Sequence, residues 1–237
     1  MARFILLLTF SFFPFSGLNT ISFGGIEFDV VQNGESNRRY IWLHGDEQTA
    51  RMALERHMKT NKGKAFLVTG IVRESEFFGG LIDPNRIFSS KGAKANIQKY
   101  NHKWSRAKKE ETLEIINKDR GPFLEKVFPN NGGLIVALHN NFKGYNVKKE
   151  LDKSDAVSIK KDQNPRDFFI CTNRADFDIL SKSPFNVVLQ ESLPKKDDGS
   201  LSWAAVRHGV RYVNIETRLG WLSQQTKMLN YIEKNLP

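Results

Sequence analysis

The chain has 237 residues, with 36 Lys and Arg against 26 Asp and Glu, five His and a single Cys, for a formal net charge of +10. One Cys excludes an internal disulfide framework, and 40% apolar residues suffice for a packed core, which excludes a disordered chain or a disulfide-stapled miniprotein. The positive balance suits anionic surroundings. Its Lys and Arg are spread along the chain without a recognisable nucleic-acid module, so a solvated basic surface and no nucleic-acid partner are expected.

Residues 1–20 read as a secretory signal peptide: Arg3, then an apolar core too short to span a bilayer and interrupted by Pro14, then small or polar residues. Export to the periplasm or the medium, without stable membrane insertion after cleavage, is the expectation. Residues 21–237 suit one α/β domain. Residues 21–31 and 39–43 predict two strands around a turn-rich segment at 33–37. Residues 48–59 predict a helix, with Ala50, Ala53, Leu54, His57 and Met58 at helical spacing, and 64–71 another strand. This alternation predicts a single-domain, mixed, mostly parallel twisted sheet flanked by helices. Residues 73–103 bear glycines and little periodicity, which predicts a site-forming loop. Helices are expected at 104–117 and 122–127, then a strongly apolar strand ending at His139, a polar mixed stretch at 140–164, and strands at 167–171, 186–190 and 210–215. A helix at 222–236 closes the chain, with Leu222, Leu229, Ile232 and Leu236 on one face. Cys171, inside an apolar run, is expected to be a small buried residue.

The residues that carry chemistry sit where apolar runs stop. His44-Gly45-Asp46-Glu47 follows Tyr40-Ile41-Trp42-Leu43; Asp83-Pro84-Asn85-Arg86 follows Gly79-Gly80-Leu81-Ile82; His139 follows residues 133–138; Glu216 follows residues 210–215. In an open α/β sheet the carboxyl ends of strands converge on ligands. His44, Glu47 and His139 would then supply three ligands to one Zn²⁺ and leave a fourth position for water. Glu216 is the candidate general base and acid, and Glu191 its rival. Asn85 and Arg86 are candidates for substrate binding, with Arg73 and Arg207 as further ones. Each residue alone has an ordinary explanation. Glu47 suits a first helical turn, Asp83-Pro84 is common turn chemistry, and exposed Arg side chains form surface ion pairs. His57 is expected to be a packed or surface residue, and His102 and His208 lie among cations.

At these residues the chain resembles the zinc carboxypeptidase superfamily, and within it the succinylglutamate desuccinylase and aspartoacylase branch. The family's His-Gly-x-Glu signature is matched by His44 to Glu47, its Asp-x-Asn-Arg-x-Phe element by Asp83 to Phe88, its Leu-His-Asn element by Leu138-His139-Asn140, and its late catalytic Glu by Glu216. The resemblance spans residues 40 to 220. It implies a zinc metallohydrolase of metallopeptidase or deacylase type, with one Zn²⁺ per chain on His44, Glu47 and His139. Such an enzyme cleaves an amide next to a free carboxylate, with Asn85 and Arg86 on the substrate and Arg207 the nearest match for a further substrate-binding Arg. There are departures. Ala137 stands where the family has Asp, the extra C-terminal domain of the branch is expected to be missing, and the carboxypeptidase Tyr is not placed, although Tyr145 and Tyr212 are available. Export, charge and a carboxylate-binding Arg together suggest a peptide or acyl-amino acid substrate, with peptidoglycan stem peptide as the natural candidate. The alternative is a degenerate member that binds an anionic cell-wall polymer without cleaving it.

Overall fold

Glycine turns and buried apolar runs divide the chain into its elements. The computed structural model describes residues 19–237 apart from residues 131 and 143; residues 1–18, most of the expected signal segment, lie outside the described residues. Strand β1 (Asn19–Phe23) pairs antiparallel with β2 (Ile26–Asn33). One strand is predicted over 21–31, but Gly24 and Gly25, at φ +60° and +95°, close a two-residue hairpin turn there. Such turns need positive φ at both central positions, which glycine adopts without a Cβ clash.

The next elements alternate as predicted: β3 (Arg38–Trp42), α1 (Gln48–His57) and β4 (Gly63–Val68). The expected loop at 73–103 holds more structure than its composition suggests. It contains a small hairpin, β5 (Ser75–Phe77) and β6 (Gly80–Ile82), a 3-10 turn at Pro84–Arg86, and α2 (Ser90–Tyr100). The Ser89 side chain caps α2 by accepting from the Gly92 N–H, while Ala93, Asn96 and Ile97 are buried on one face. The two helices predicted at 104–117 and 122–127 are one, α3 (Arg106–Val127), which runs through Pro122. Proline removes one helical hydrogen bond there, and the buried Ile116, Phe123, Leu124 and Val127 hold both halves against the core.

The remaining elements are β7 (Leu134–Asn141), β8 (Ala156–Ser158), β9 (Phe168–Cys171), α4 (Arg174–Leu180), β10 (Asn186–Leu189), α5 (Leu201–His208), β11 (Arg211–Arg218) and α6 (Leu222–Asn235). Helices α4 and α5 are not predicted by periodicity because each has only two turns. Nine strands form one mixed, helix-flanked sheet in the order β1-β2-β4-β3-β7-β11-β9-β10-β8. Its centre, β4-β3-β7-β11, is parallel, as is β9-β10, and the other pairings are antiparallel. Every residue of β7 is buried, which explains why it reads as a continuous apolar run. Trp42, Tyr40, Phe66, Phe169 and Val213 are among the fully buried side chains, and each such side chain contributes about 1.5–3 kcal/mol. Cys171 is buried in this core as predicted, and burial pushes its thiol pKa upward. No described helix is long and apolar enough to cross a membrane.

Candidate metal centre

Strands β3, β7 and β11 run parallel, so their carboxyl ends share one edge of the sheet. Past β3 the chain folds back at once: the Glu47 N–H donates to the His44 carbonyl at 3.1 Å, and the Trp42 indole N–H donates to the Glu47 carbonyl at 3.0 Å. Gly45 donates its N–H to Val72 O at 3.0 Å, and a Cβ there would stand 2.7 Å from the carbonyl oxygens of both Gly70 and Val72. Only glycine allows that approach, so the spacing of His44 and Glu47 depends on it. His139 and Glu216 are register partners on β7 and β11, which sends their side chains off the same face side by side.

The result is a buried group. Glu47 Oε1 lies 2.9 Å from His44 Nδ1 and its Oε2 lies 2.8 Å from His139 Nδ1. His44, Glu47 and His139 are 1%, 2% and 3% exposed, and their ligand atoms fall within 4.8 Å of one another. Two imidazoles and a carboxylate are a donor set that suits Zn²⁺. His44 Nε2 is held at 2.9 Å by Asp83 Oδ1, the outer carboxylate that typically orients a metal-binding imidazole. His139 Nε2 is buried with no hydrogen-bond partner among the described residues, and Ala137, two residues back on the same strand face, offers no acceptor. His139 thus turns its Nδ1 toward Glu47 as the ligand nitrogen, while its Nε2 lacks the outer acceptor that Asp83 gives His44.

Electrostatics tie the group together. Burial pulls the His44 pKa down, but Glu47 and Asp83 outweigh it and raise His44 to about 9. Burial likewise pushes Glu47 up, yet His139 and His44 hold its carboxyl well below the usual range. Asp83 is held down in the same way, its burial outweighed by the hydrogen bond and charge of His44. Glu216 behaves oppositely. Burial raises its pKa, and Glu47 adds to the rise, against the opposing pull of His139 and of the two amides described next.

Sequence reasoning misses those amides. Asn214 Nδ2 donates to Glu216 Oε1 at 3.1 Å and Asn141 Nδ2 to Oε2 at 3.3 Å. It also gives Asp83 no role beyond a turn. Asp83 does accept from the Asn85 N–H as turn chemistry requires, but the same oxygen faces His44 from 39 residues away. The centre opens into a cavity of about 400 Å³, within the usual range for small-ligand sites. His44, Glu47, Arg73, Asn85, Arg86, His139 and Glu216 all line it, as do Tyr145 and Tyr212. Arg73 donates to Glu47 Oε1 at 3.0 Å and lies 3.9 Å from Asp83. Arg86 is braced on the Asn85 carbonyl at 2.7 Å and faces Asp198 at 3.9 Å. Asn85 Oδ1 accepts from the Leu201 N–H at 3.0 Å.

Arg207 is not among the lining residues. Its guanidinium donates to Asp197 at 2.6 Å and to the Phe88 carbonyl at 2.7 Å, clamping α5 to the segment after Arg86. Glu191 is also outside the lining and pairs with Arg174. His57 packs in the interior against Tyr40, whereas His102 and His208 are exposed.

Fold and site together define an α/β protein with a buried His-Glu-His group, able to hold a metal ion, at the carboxyl edge of its sheet. Its sequence matches no family model and no curated protein. In structure it is similar to the ectoine utilization protein EutE (DoeB) from Ruegeria pomeroyi, with 14% identity, 87% of this chain and 59% of that chain covered, and a TM-score of 0.45. It is similar to a succinylglutamate desuccinylase/aspartoacylase from Rhodobacter sphaeroides at 14% identity, 88% and 57% coverage and a TM-score of 0.44. A candidate metallopeptidase from Shewanella denitrificans is similar over 91% of this chain and 83% of that one, at 12% identity and a TM-score of 0.44. The chain spans less than two thirds of the length of the first two.

Proposed function

We propose that this chain is a zinc hydrolase that holds one Zn²⁺ through His44, Glu47 and His139 and cleaves an amide bond next to a free carboxylate. The observation that carries the reading is the Glu47 carboxylate set between two imidazole Nδ1 atoms, with Glu216 beside His139 on the neighbouring strand. When bound, zinc would polarise the scissile carbonyl and make water acidic enough to attack. Glu216 takes a proton and passes it to the leaving amine. Its raised proton affinity and the amides on both its oxygens support that role. Arg86, with Asn85 beside it, grips the substrate carboxylate, while Arg73 braces Glu47 and Asp83 at the cavity wall.

On the sequence pattern of residues 1–20 and the net charge of +10, we further propose that the mature domain works outside the cytoplasm on a peptide or acyl-amino acid, with peptidoglycan stem peptide as the natural candidate. The test is metal analysis of the purified protein, followed by incubation with a mixed pool of muropeptides and N-acyl amino acids read by mass spectrometry. Loss of one terminal residue indicates a carboxypeptidase and release of an acyl group a deacylase. Absence of both zinc and product overturns the reading. The partnerless His139 Nε2 beside Ala137 favours a second reading, a degenerate member that binds an anionic wall polymer. One zinc per chain with turnover eliminates it.

A further inference from the structure

We infer that one wall of the cavity is a cation subsite built on Glu150, which receives the side-chain ammonium of a diamino-acid residue in the substrate. The inference rests on the reading of the chain as an amide hydrolase and names the substrate class that such a site prefers. Glu150 lines the cavity, yet it is only 5% exposed. Its Oε1 accepts from the Tyr145 hydroxyl at 2.8 Å, and its Oε2 from Gln190 Nε2 at 2.9 Å. Both donors are fixed: Gln190 is 1% exposed just past the end of β10, and the Tyr145 ring packs on Phe168 with centroids 5.7 Å apart. They orient the carboxylate but carry no charge to neutralise it.

The cation that faces Glu150 comes from Lys153, whose ammonium sits 3.2 and 3.4 Å from the two oxygens. That side chain is 49% exposed. A long, flexible, half-exposed lysine pays side-chain entropy to hold such a pair and is easily exchanged from it. A buried carboxylate without a cation, by contrast, is costly. Lys153 therefore marks what Glu150 accepts and gives way readily to an ammonium arriving through the cavity. The other lining carboxylates are engaged differently: Glu47 and Glu216 belong to the centre, and Asp198 faces Arg86. Tyr145, which holds Glu150, lines the same cavity as Glu216. A substrate gripped at its carboxylate by Arg86 thus meets an acidic wall in the same cavity.

The experiment measures binding of Nα-acetyl-lysine and Nα-acetyl-norleucine, each as both enantiomers, to the full chain by calorimetry or ligand-observed NMR. The two ligands share the four-carbon side chain and the carboxylate and differ in the terminal ammonium. The lysine derivative of one enantiomer is expected to bind about tenfold tighter or more than its norleucine counterpart. E150Q erases that gap, and K153M widens it by removing the competing ammonium. Equal affinities, no detectable binding of either ligand, or a gap that survives E150Q overturns the inference. If E150Q does not fold by circular dichroism, K153M decides alone, and an unchanged or narrowed gap there is fatal. Zinc content and muropeptide turnover, measured in parallel, separate the two claims. A zinc-free, inactive protein that keeps the lysine preference refutes the hydrolase reading only, and an active zinc protein without the preference refutes the subsite only.

Discussion

Replacing Glu216 with Gln should abolish turnover without weakening the fold, and the hydrogen bonds around it show why. Both carboxylate oxygens accept from amide NH₂ groups, so a Gln at this position turns one acceptor into a donor facing another donor. Asn141 cannot rotate to relieve this, because its Oδ1 accepts from Arg166 Nε at 2.9 Å and its Nδ2 also donates to the Arg166 carbonyl at 2.6 Å. Asn214 can rotate. Its Oδ1 is buried without a partner, so a half-turn of the amide presents that oxygen to the new NH₂. The charge effect runs in favour of the variant. Because burial raises the folded-state pKa of Glu216 above its unfolded value, its charge costs stability, a cost absent in acid and growing as pH rises through the raised pKa. At neutral pH, E216Q should equal or exceed the native stability by about 0–2 kcal/mol in urea unfolding with chelator present. Zinc content should be retained, while turnover falls by about 10²–10⁴, or roughly 3–5 kcal/mol of transition-state stabilisation. A variant that keeps full activity, or that loses more than about 1 kcal/mol of stability, would refute the account of this residue.

The other expectations are narrower. D83N leaves His44 Nε2 without a charged acceptor and should weaken zinc about 10–100-fold in a chelator competition; unchanged affinity would reduce Asp83 to a turn residue. G45A forces a Cβ to within 2.7 Å of two carbonyl oxygens, so thermal unfolding should show a loss of about 1–3 kcal/mol together with reduced zinc occupancy. R86A should raise KM about tenfold or more with kcat little changed. R207A, outside the cavity lining, should leave KM unaltered and lower stability by about 1 kcal/mol; steady-state kinetics of the pair tests the assignment. Glu233 is held below the usual carboxylate range by the His57 imidazole 3.6 Å away, against burial and with help from Arg38 and from the Tyr40 hydroxyl that donates to it. Its contribution is present above that range and lost as pH falls through the lowered pKa, so the stability gap between wild type and E233Q should be widest at neutral pH, about 1 kcal/mol or less for a partly exposed group, and close in acid.

What could be read in the sequence follows from burial. Strands β3, β7 and β11 are buried on both faces over residues 40–42, 134–138 and 212–215, so they read as largely apolar runs, broken only by Asn214 in β11, and the polar residue ending each run falls at the same sheet edge because the strands are parallel. That is why His44, Glu47, His139 and Glu216 could be grouped before any coordinates. Helix α2 escaped because Lys91, Gly92, Lys94 and Lys99 dilute its apolar face to Ala93 and Ile97. The loose match that names Arg207 as a substrate-binding candidate carries no direction, and in the fold its guanidinium turns toward Phe88 and Asp197.

Asp83 and the amides of Asn141 and Asn214 form a different case. Each satisfies a local rule, a turn or a strand position, that explains it fully in isolation; Asp83 and Asn141 acquire their second contact only when distant segments meet, and Asn214 reaches Glu216 two residues along the same strand. A side chain that meets a local requirement carries no excess signal in one sequence, so such supporting residues stay hidden even where the residues they support are plain. The consequence here is specific. The residue that orients His44 comes from the Asp83 turn and not from β7, so the Ala137 departure leaves His44 fully supported and exposes only His139. The loss of an outer carboxylate at that position is therefore expected to weaken one ligand of three, and D83N, which removes the support of a second, should have a larger effect in this chain than in a protein where both imidazoles are held.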